Sequence, residues 1–130
     1  MSGISINWLT IDDETLSDIL TCALEGGSNY WYWIEDVVEP KKWTFSTHEN
    51  KEVHYYQDYP INEGGALIIS DQLDGENKNM CLDRGGLLRG LEVLSTKYRQ
   101  HLASLLSGDF DAETGDVFLQ CCLFEEILYG

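Results

Sequence analysis

Leu16, Ile19, Leu20, Ala23 and Leu24 recur at i, i+3, i+4, i+7 and i+8, the spacing of one buried face of an α-helix. Thr10, Asp12, Asp13 and Glu14 precede them as a helix start, with negative charge where the helix dipole favours it. Gly26-Gly27 stops the pattern. Asn29 to Val38 (NYWYWIEDVV) is dense in aromatic and β-branched residues and ends at Pro40, which predicts a strand or an irregular aromatic segment. Lys41 to Gly65 is polar, with scattered aromatics and Pro60, and predicts a long excursion with one strand around Glu52–Tyr56.

Ala66-Leu67-Ile68-Ile69-Ser70 and Asn79-Met80-Cys81-Leu82 flank LDGENK, where Asp74-Gly75 is a hairpin turn pair. Two antiparallel strands follow from this. Asp83 then caps a helix expected to run to about Leu106, with Leu87, Leu91, Leu94, Tyr98, Leu102 and Leu105 as its buried stripe. Glycines 85, 86 and 90 weaken its first turns and predict close packing there or a later start. Ser107-Gly108 ends that helix, and Asp109 or Asp111 opens another, whose seam is Val117, Cys121, Phe124 and Leu128, widened by Phe118 and Cys122. The expected fold is α+β: a small antiparallel sheet of about two to four strands packed with about three helices, in one domain over residues 1–130.

Composition agrees with a packed core. The chain has 130 residues, 43% of them hydrophobic, with 4 Trp, 7 Tyr and 4 Phe, enough apolar material to fold in spite of its charge. No apolar run approaches the ~20 residues of a membrane span, and the opening MSGISINWLTIDDE has neither the basic nor the apolar region of a signal peptide. A cytoplasmic protein is expected. Cys22, Cys81, Cys121 and Cys122 show no C-x-x-C spacing and sit among apolar residues, which reads as buried reduced thiols.

Charge changes the picture more. The net charge is −15, and all eight basic residues lie between Lys41 and Arg99. Met1 to Pro40 carries Asp12, Asp13, Glu14, Asp18, Glu25, Glu35, Asp36 and Glu39 with no Lys or Arg. Ser107 to Gly130 carries Asp109, Asp111, Glu113, Asp116, Glu125 and Glu126, again with none. Such a field repels nucleic acid and anionic membranes and attracts proteins that grip nucleic acid.

Local motifs for chemistry are weak. Asp109-x-Asp111-x-Glu113 resembles the start of a calcium loop, but Thr114 stands at the sixth position and Gln120 at the twelfth, so helix capping explains these acids better. His48, Glu49 and His54 have no spacing that specifies a metal. There is no G-x-S-x-G and no phosphate loop. No catalytic residue, metal ligand or cofactor is therefore expected. The segment Glu25 to Trp33 remains, where Glu25, Asn29, Tyr30, Trp31 and Trp33 could offer rings and backbone to a ligand. Its ordinary reading is a glycine-capped helix followed by core aromatics.

ALEGGSNYW and Asp116-x-x-x-Gln120-x-x-Leu123-Phe124-x-x-x-x-Tyr129-Gly130 together resemble a family of small phage and prophage proteins. Gly64-Gly65-Ala66-Leu67 leading to Asp71 fits that family's central GG-x-L-x-x-x-D strand. Where the family has glycine directly after the Phe, this chain has Glu125. The resemblance implies a mobile-element origin and a compact α+β domain, and hands over no catalytic residues.

The expectation that follows is a non-enzymatic, phage-type protein of the host cytoplasm. It would bind and inhibit or modulate a host nucleic-acid-handling or defence protein through an acidic, DNA-mimicking surface, contacting neither nucleic acid nor membrane itself. Its contact set would be Asp12, Asp13, Glu14, Asp18, Asp109, Asp111, Glu113 and Asp116. The alternatives are a nucleotide-signal binder with Tyr30, Trp31 and Trp33 around a concave site and Arg84 or Arg89 nearby, or a structural phage protein that self-associates into homo-oligomers through its aromatics.

Overall fold

The computed structural model describes residues 3–6 and 9–130. Met1, Ser2, Asn7 and Trp8, part of the opening string read for a leader, lie outside the described residues. Among the described residues the chain forms two antiparallel sheets, of two and three strands, with four α-helices, the α+β architecture expected. Among the described residues no helix is long and apolar enough to cross a membrane.

Strand β1 (Gly3–Ile6) pairs with β2 (Leu9–Asp12), with Ile4 opposite Ile11 and Ile6 opposite Leu9. Ile4, Ile6 and Ile11 enter the core. This pair was not anticipated, although the alternation of its isoleucines carries the period-2 signal. Helix α1 (Asp13–Cys22) begins on Asp12, whose carboxylate accepts from the Thr15 backbone N–H at 2.8 Å. That bond holds the Asp12 carboxyl below its ordinary range. Leu16, Ile19 and Leu20 are fully buried, as their spacing predicts. The helix then widens into a π-type turn over Ala23–Gly27.

The second sheet runs in the order β3 (Tyr32–Val38), β4 (Ala66–Asp71), β5 (Met80–Asp83). Ile34 faces Ile69, and Leu67 faces Leu82, with a bulge in β3 between Ile34 and Asp36. The hairpin expected around Asp74-Gly75 is present. Asp83 caps α2 (Arg84–Lys97) by accepting from the Gly86 N–H at 2.8 Å, and Asp111 caps α4 (Ala112–Phe124) by accepting from the N–H groups of Glu113 and Thr114. One contiguous apolar core collects Trp31, Phe118 and the buried leucines and isoleucines of both sheets and all four helices.

Three expectations are corrected. No strand forms at Glu52–Tyr56; a turn leads into a short 3-10 turn at Tyr56–Asp58. Two buried side chains satisfy the backbone there in place of a sheet partner. Asp58 accepts from the Thr47 N–H and hydroxyl. Asn62 accepts from the N–H groups of Thr44 and Phe45 and donates to the carbonyls of Phe45 and Asp58. The long helix to Leu106 is two helices, α2 and α3 (Arg99–Ser107), broken at Tyr98, whose φ of −133° and ψ of 57° leave the helical region. Tyr98 is recruited by the C-terminal segment: its hydroxyl accepts from the Ile127 N–H at 3.0 Å. Of the cysteines, only Cys121 and Cys122 are buried. Cys22 is half-buried and Cys81 exposed, because strand alternation turns Leu82 inward and its neighbour out.

Helix α4 crosses α1 and the π-type turn at backbone contact. A Cβ added to Gly27 would stand 2.0 Å from the Ala112 carbonyl oxygen, and one on Gly115 would stand 2.7 Å from the Ala23 nitrogen. The glycines admit an approach that any side chain would block.

Glu125, which occupies the resembled family's glycine position, ends α4 in the left-handed region at φ 61°. A side chain there is strained and glycine is not. Glu125→Gly is therefore expected to raise stability by about 0.5–1 kcal/mol, read from the urea midpoint. An unchanged or lower midpoint would contradict this account of the cap.

Candidate functional site

The carboxylate of Asp116, on the second turn of α4, points into the protein. It accepts from the Ser28 hydroxyl at 2.8 Å, the Tyr30 hydroxyl at 2.6 Å and the Trp31 indole N–H at 2.7 Å. Burial, followed by the bond to Asp116, pushes the Tyr30 hydroxyl up to about 12. One turn further on, Gln120 is fully buried; its Oε1 accepts from the N–H groups of Leu128 and Tyr129, and its Nε2 donates to the Tyr129 carbonyl. The Tyr129 hydroxyl in turn donates to Asp71 at 2.5 Å, and that bond, ahead of burial, raises it to about 12. Asp116 with Ser28, Tyr30 and Trp31, and Gln120 with Leu128, Tyr129 and through it Asp71, thus form two hydrogen-bonded clusters carried by one helix. The members of this network are already paired with each other, which marks it as a scaffold.

That network removes Asp116 from the predicted contact set. The residue is 8% exposed, spent on three internal donors. Asp13, also 8% exposed, pairs with Arg84 at 3.2 Å. Both are corrections: their carboxylates face partners inside this chain. Asp12 is half-buried as the α1 cap. Glu14, Asp18, Asp109, Asp111 and Glu113 are exposed. Glu14 lies near the far end of α1 from the crossing with α4, about 12 Å along the helix from Cys22.

Across that crossing the two acidic ends do meet. The Cys22 thiol is pushed up first by burial and then by the charges of Asp18, Asp111 and Glu25. Carboxylates from α1, the π-type turn and the cap of α4 therefore act together on one half-buried thiol, beside which Gly115 of α4 packs. Glu25 belongs to this patch, although the sequence reading put it with the aromatics. Raised thiols are poor nucleophiles at neutral pH; burial also lifts Cys81, Cys121 (to about 12) and Cys122.

The aromatic segment splits in two. Trp31 is fully buried and packs on Phe124 and Tyr129 with ring centroids 5.3 Å and 6.1 Å away, so it belongs to the core and lines no ligand site. This corrects its place in the ligand segment, as the bulkiest apolar ring is held inward by its own N–H donor. Tyr30 borders a cleft of about 410 Å³ with His101, Glu113 and Tyr129. Asn29 and Trp33 instead line an open slot of about 370 Å³ with Tyr32, Ile34, Tyr56 and Gln72. Tyr56 and Gln72 come from the polar excursion and the hairpin turn, and no local pattern in the sequence connects them to Trp33. Neither Arg84 nor Arg89 lines this slot. Arg84 is held by the Asp13 carboxylate and the carbonyls of Gly3 and Ile61, and it borders a separate cavity with Lys41 and Lys42.

Among the described residues no group of His, Cys, Asp and Glu is arranged to hold a metal. His54 stacks on Trp43 with ring centroids 3.5 Å apart, and His48 Nδ1 accepts from the Asn50 N–H. Asp111 and Asp109 stand at the start of α4 as a cap and its neighbour.

Two measurements test this geometry. Asp116→Ala leaves the Ser28 and Trp31 donors buried without an acceptor and is expected to cost roughly 2–5 kcal/mol in urea unfolding. A loss below about 1 kcal/mol would show that Asp116 is not the hub. The second probes the patch by alkylating Cys22. Its raised pKa lowers the thiolate fraction at any pH below it. Asp18→Asn with Asp111→Asn, which keeps the helix cap, is expected to move the rate–pH profile to lower pH and speed reaction several-fold near pH 8. An unmoved profile would mean that these charges do not converge on the thiol.

No protein-family model, curated protein or solved structure matches this chain.

Proposed function

We propose that this chain is a non-enzymatic, phage-type binding protein that engages a basic, nucleic-acid-handling host protein through the carboxylates around Cys22. The observation that carries this reading is the packing of α4 on the end of α1, where a Cβ on Gly115 would stand 2.9 Å from the Cys22 Cβ, so that exposed Asp18, Glu25 and Asp111 all belong to elements that meet at that crossing. They come from opposite ends of the chain, and neither end contains a Lys or Arg to neutralise them. Exposed Glu113, two residues beyond Asp111 at the start of the same helix, adds to the charge there.

The physical basis is exchange of one anion for another. Lys and Arg side chains that neutralise phosphates can pair with carboxylates presented on a rigid surface. Rigidity has a source here, because glycine-mediated backbone contact joins α4 to the π-type turn and α1. The contact set is narrower than the sequence alone suggested. Asp13 and Asp116 drop out, Glu14 stands apart, and Glu25 enters. Accessible carboxylates at the rim of an interface act mainly on association rate and partner choice.

The test is capture from host lysate on immobilised protein, comparing the natural chain with a triple variant, Asp18→Asn, Glu25→Gln and Asp111→Asn. The expected partner is retained at low salt and released by about 1 M salt, where screening acts within ~3 Å. It is also displaced by duplex DNA and lost on the triple variant. Retention at high salt, or equal capture by the variant, would overturn the reading.

A further inference from the structure

We propose that the slot lined by Trp33 and Tyr56 is an arginine seat, receiving a guanidinium side chain from the basic partner; this rests on the acidic-surface reading above. Trp33 is 58% exposed and Tyr56 54% exposed, each leaving a large ring in water within one concavity. Single exposed apolar residues are ordinary. Two exposed rings lining one slot of about 370 Å³ form a recess for a flat group.

The chemistry of the walls selects a cation. Gln72 donates its Nε2–H to the Tyr32 carbonyl at 2.7 Å, which fixes the amide and leaves its Oε1 as an acceptor. Asn29, exposed at the same rim, supplies a second carboxamide. The Tyr32 hydroxyl, bonded to the Leu24 carbonyl, is pushed up by burial and then by the nearby charge of Glu25. Glu25 follows Leu24 directly, so the bond that anchors the Tyr32 side chain of the slot stands one residue from a carboxylate of the acidic patch. Among the described residues no Lys, Arg or His lines the slot, so a phosphate-bearing ligand would find no cation there. A guanidinium satisfies all of these features together. It is planar, stacks on aromatic faces and donates in several directions, which suits the Trp33 and Tyr56 rings and the carboxamide oxygens of Gln72 and Asn29. A lysine ammonium is a compact, strongly hydrated point charge and uses the rings less well.

The test is calorimetric titration of the whole protein with nona-arginine, nona-lysine and adenosine monophosphate at physiological salt. Nona-arginine is expected to bind about tenfold more tightly than nona-lysine. Trp33→Ala should bring nona-arginine down to the nona-lysine level and leave nona-lysine unchanged. Tyr56→Ala, on a different element, should do the same and guards against a folding defect in the first variant. Asp18→Asn with Asp111→Asn should weaken both peptides alike. Equal binding of the two peptides, or no effect of either aromatic variant, would overturn the arginine seat while leaving the acidic-surface reading standing. Failure of both peptides to bind would overturn that reading and the seat with it. Binding of the nucleotide that is lost in Trp33→Ala would overturn the seat in favour of a nucleotide pocket.

Discussion

The buried carboxylate of Asp116 is the constraint on which the rest of the structure depends. A carboxylate taken out of water must find donors, and three come from a stretch of only four residues, Ser28 to Trp31. Meeting them fixes where that stretch leaves the π-type turn, so that Trp31 enters the core beside Phe124 and Tyr129. It also draws α4 so close to α1 and the π-type turn that neither Gly27 nor Gly115 has room for a side chain. β3 starts one residue beyond Trp31, so the entire three-stranded sheet is positioned from this bond set. Gln120 and the Tyr129–Asp71 bond then tie the C-terminal segment and β4 to the same helix.

The acidic surface is a consequence of this arrangement. With α4 held against the end of α1, the Asp111 cap of one helix comes beside the C-terminal half of the other, which carries Asp18. Like charges at such a crossing oppose folding. The close backbone contact and the buried network hold the crossing together against that repulsion. Carboxylates with internal work, Asp13, Asp71 and Asp116, have a partner at hydrogen-bond distance. Asp18 and Glu25 are exposed and, with Asp111, act electrostatically on Cys22. The same placement sets Glu25 between the patch and the aromatic slot.

Much of the fold was legible residue by residue, because local patterns carry it. The spacing of Leu16, Ile19 and Leu20 reports α1, Asp83 and Asp111 act as caps, and Asp74-Gly75 marks the β4–β5 turn. The excursion from Lys41 to Gly65 was not legible, since its backbone is satisfied by Asp58 and Asn62, whose bonds run over separations that no periodicity encodes. The break at Tyr98 escaped for a similar reason: a stripe that suits one long helix gives no sign that its tyrosine hydroxyl is needed by Ile127. In the site, Asp116 read equally well as a surface acid and as a buried hub. Trp31 and Trp33, two residues apart, read alike although one is core and the other rim.

Taken alone, the sequence determined that the ends are acidic without a compensating base, that the architecture is α+β, and where most helices begin. These are local or additive properties. Which carboxylates face inward, whether the two acidic ends share a surface, and which aromatics stay in water were decided only by tertiary structure. The physical reason is that a carboxylate's role depends on what stands within about 3 Å of its oxygens. For Asp116 those neighbours lie 85 to 88 residues away along the chain.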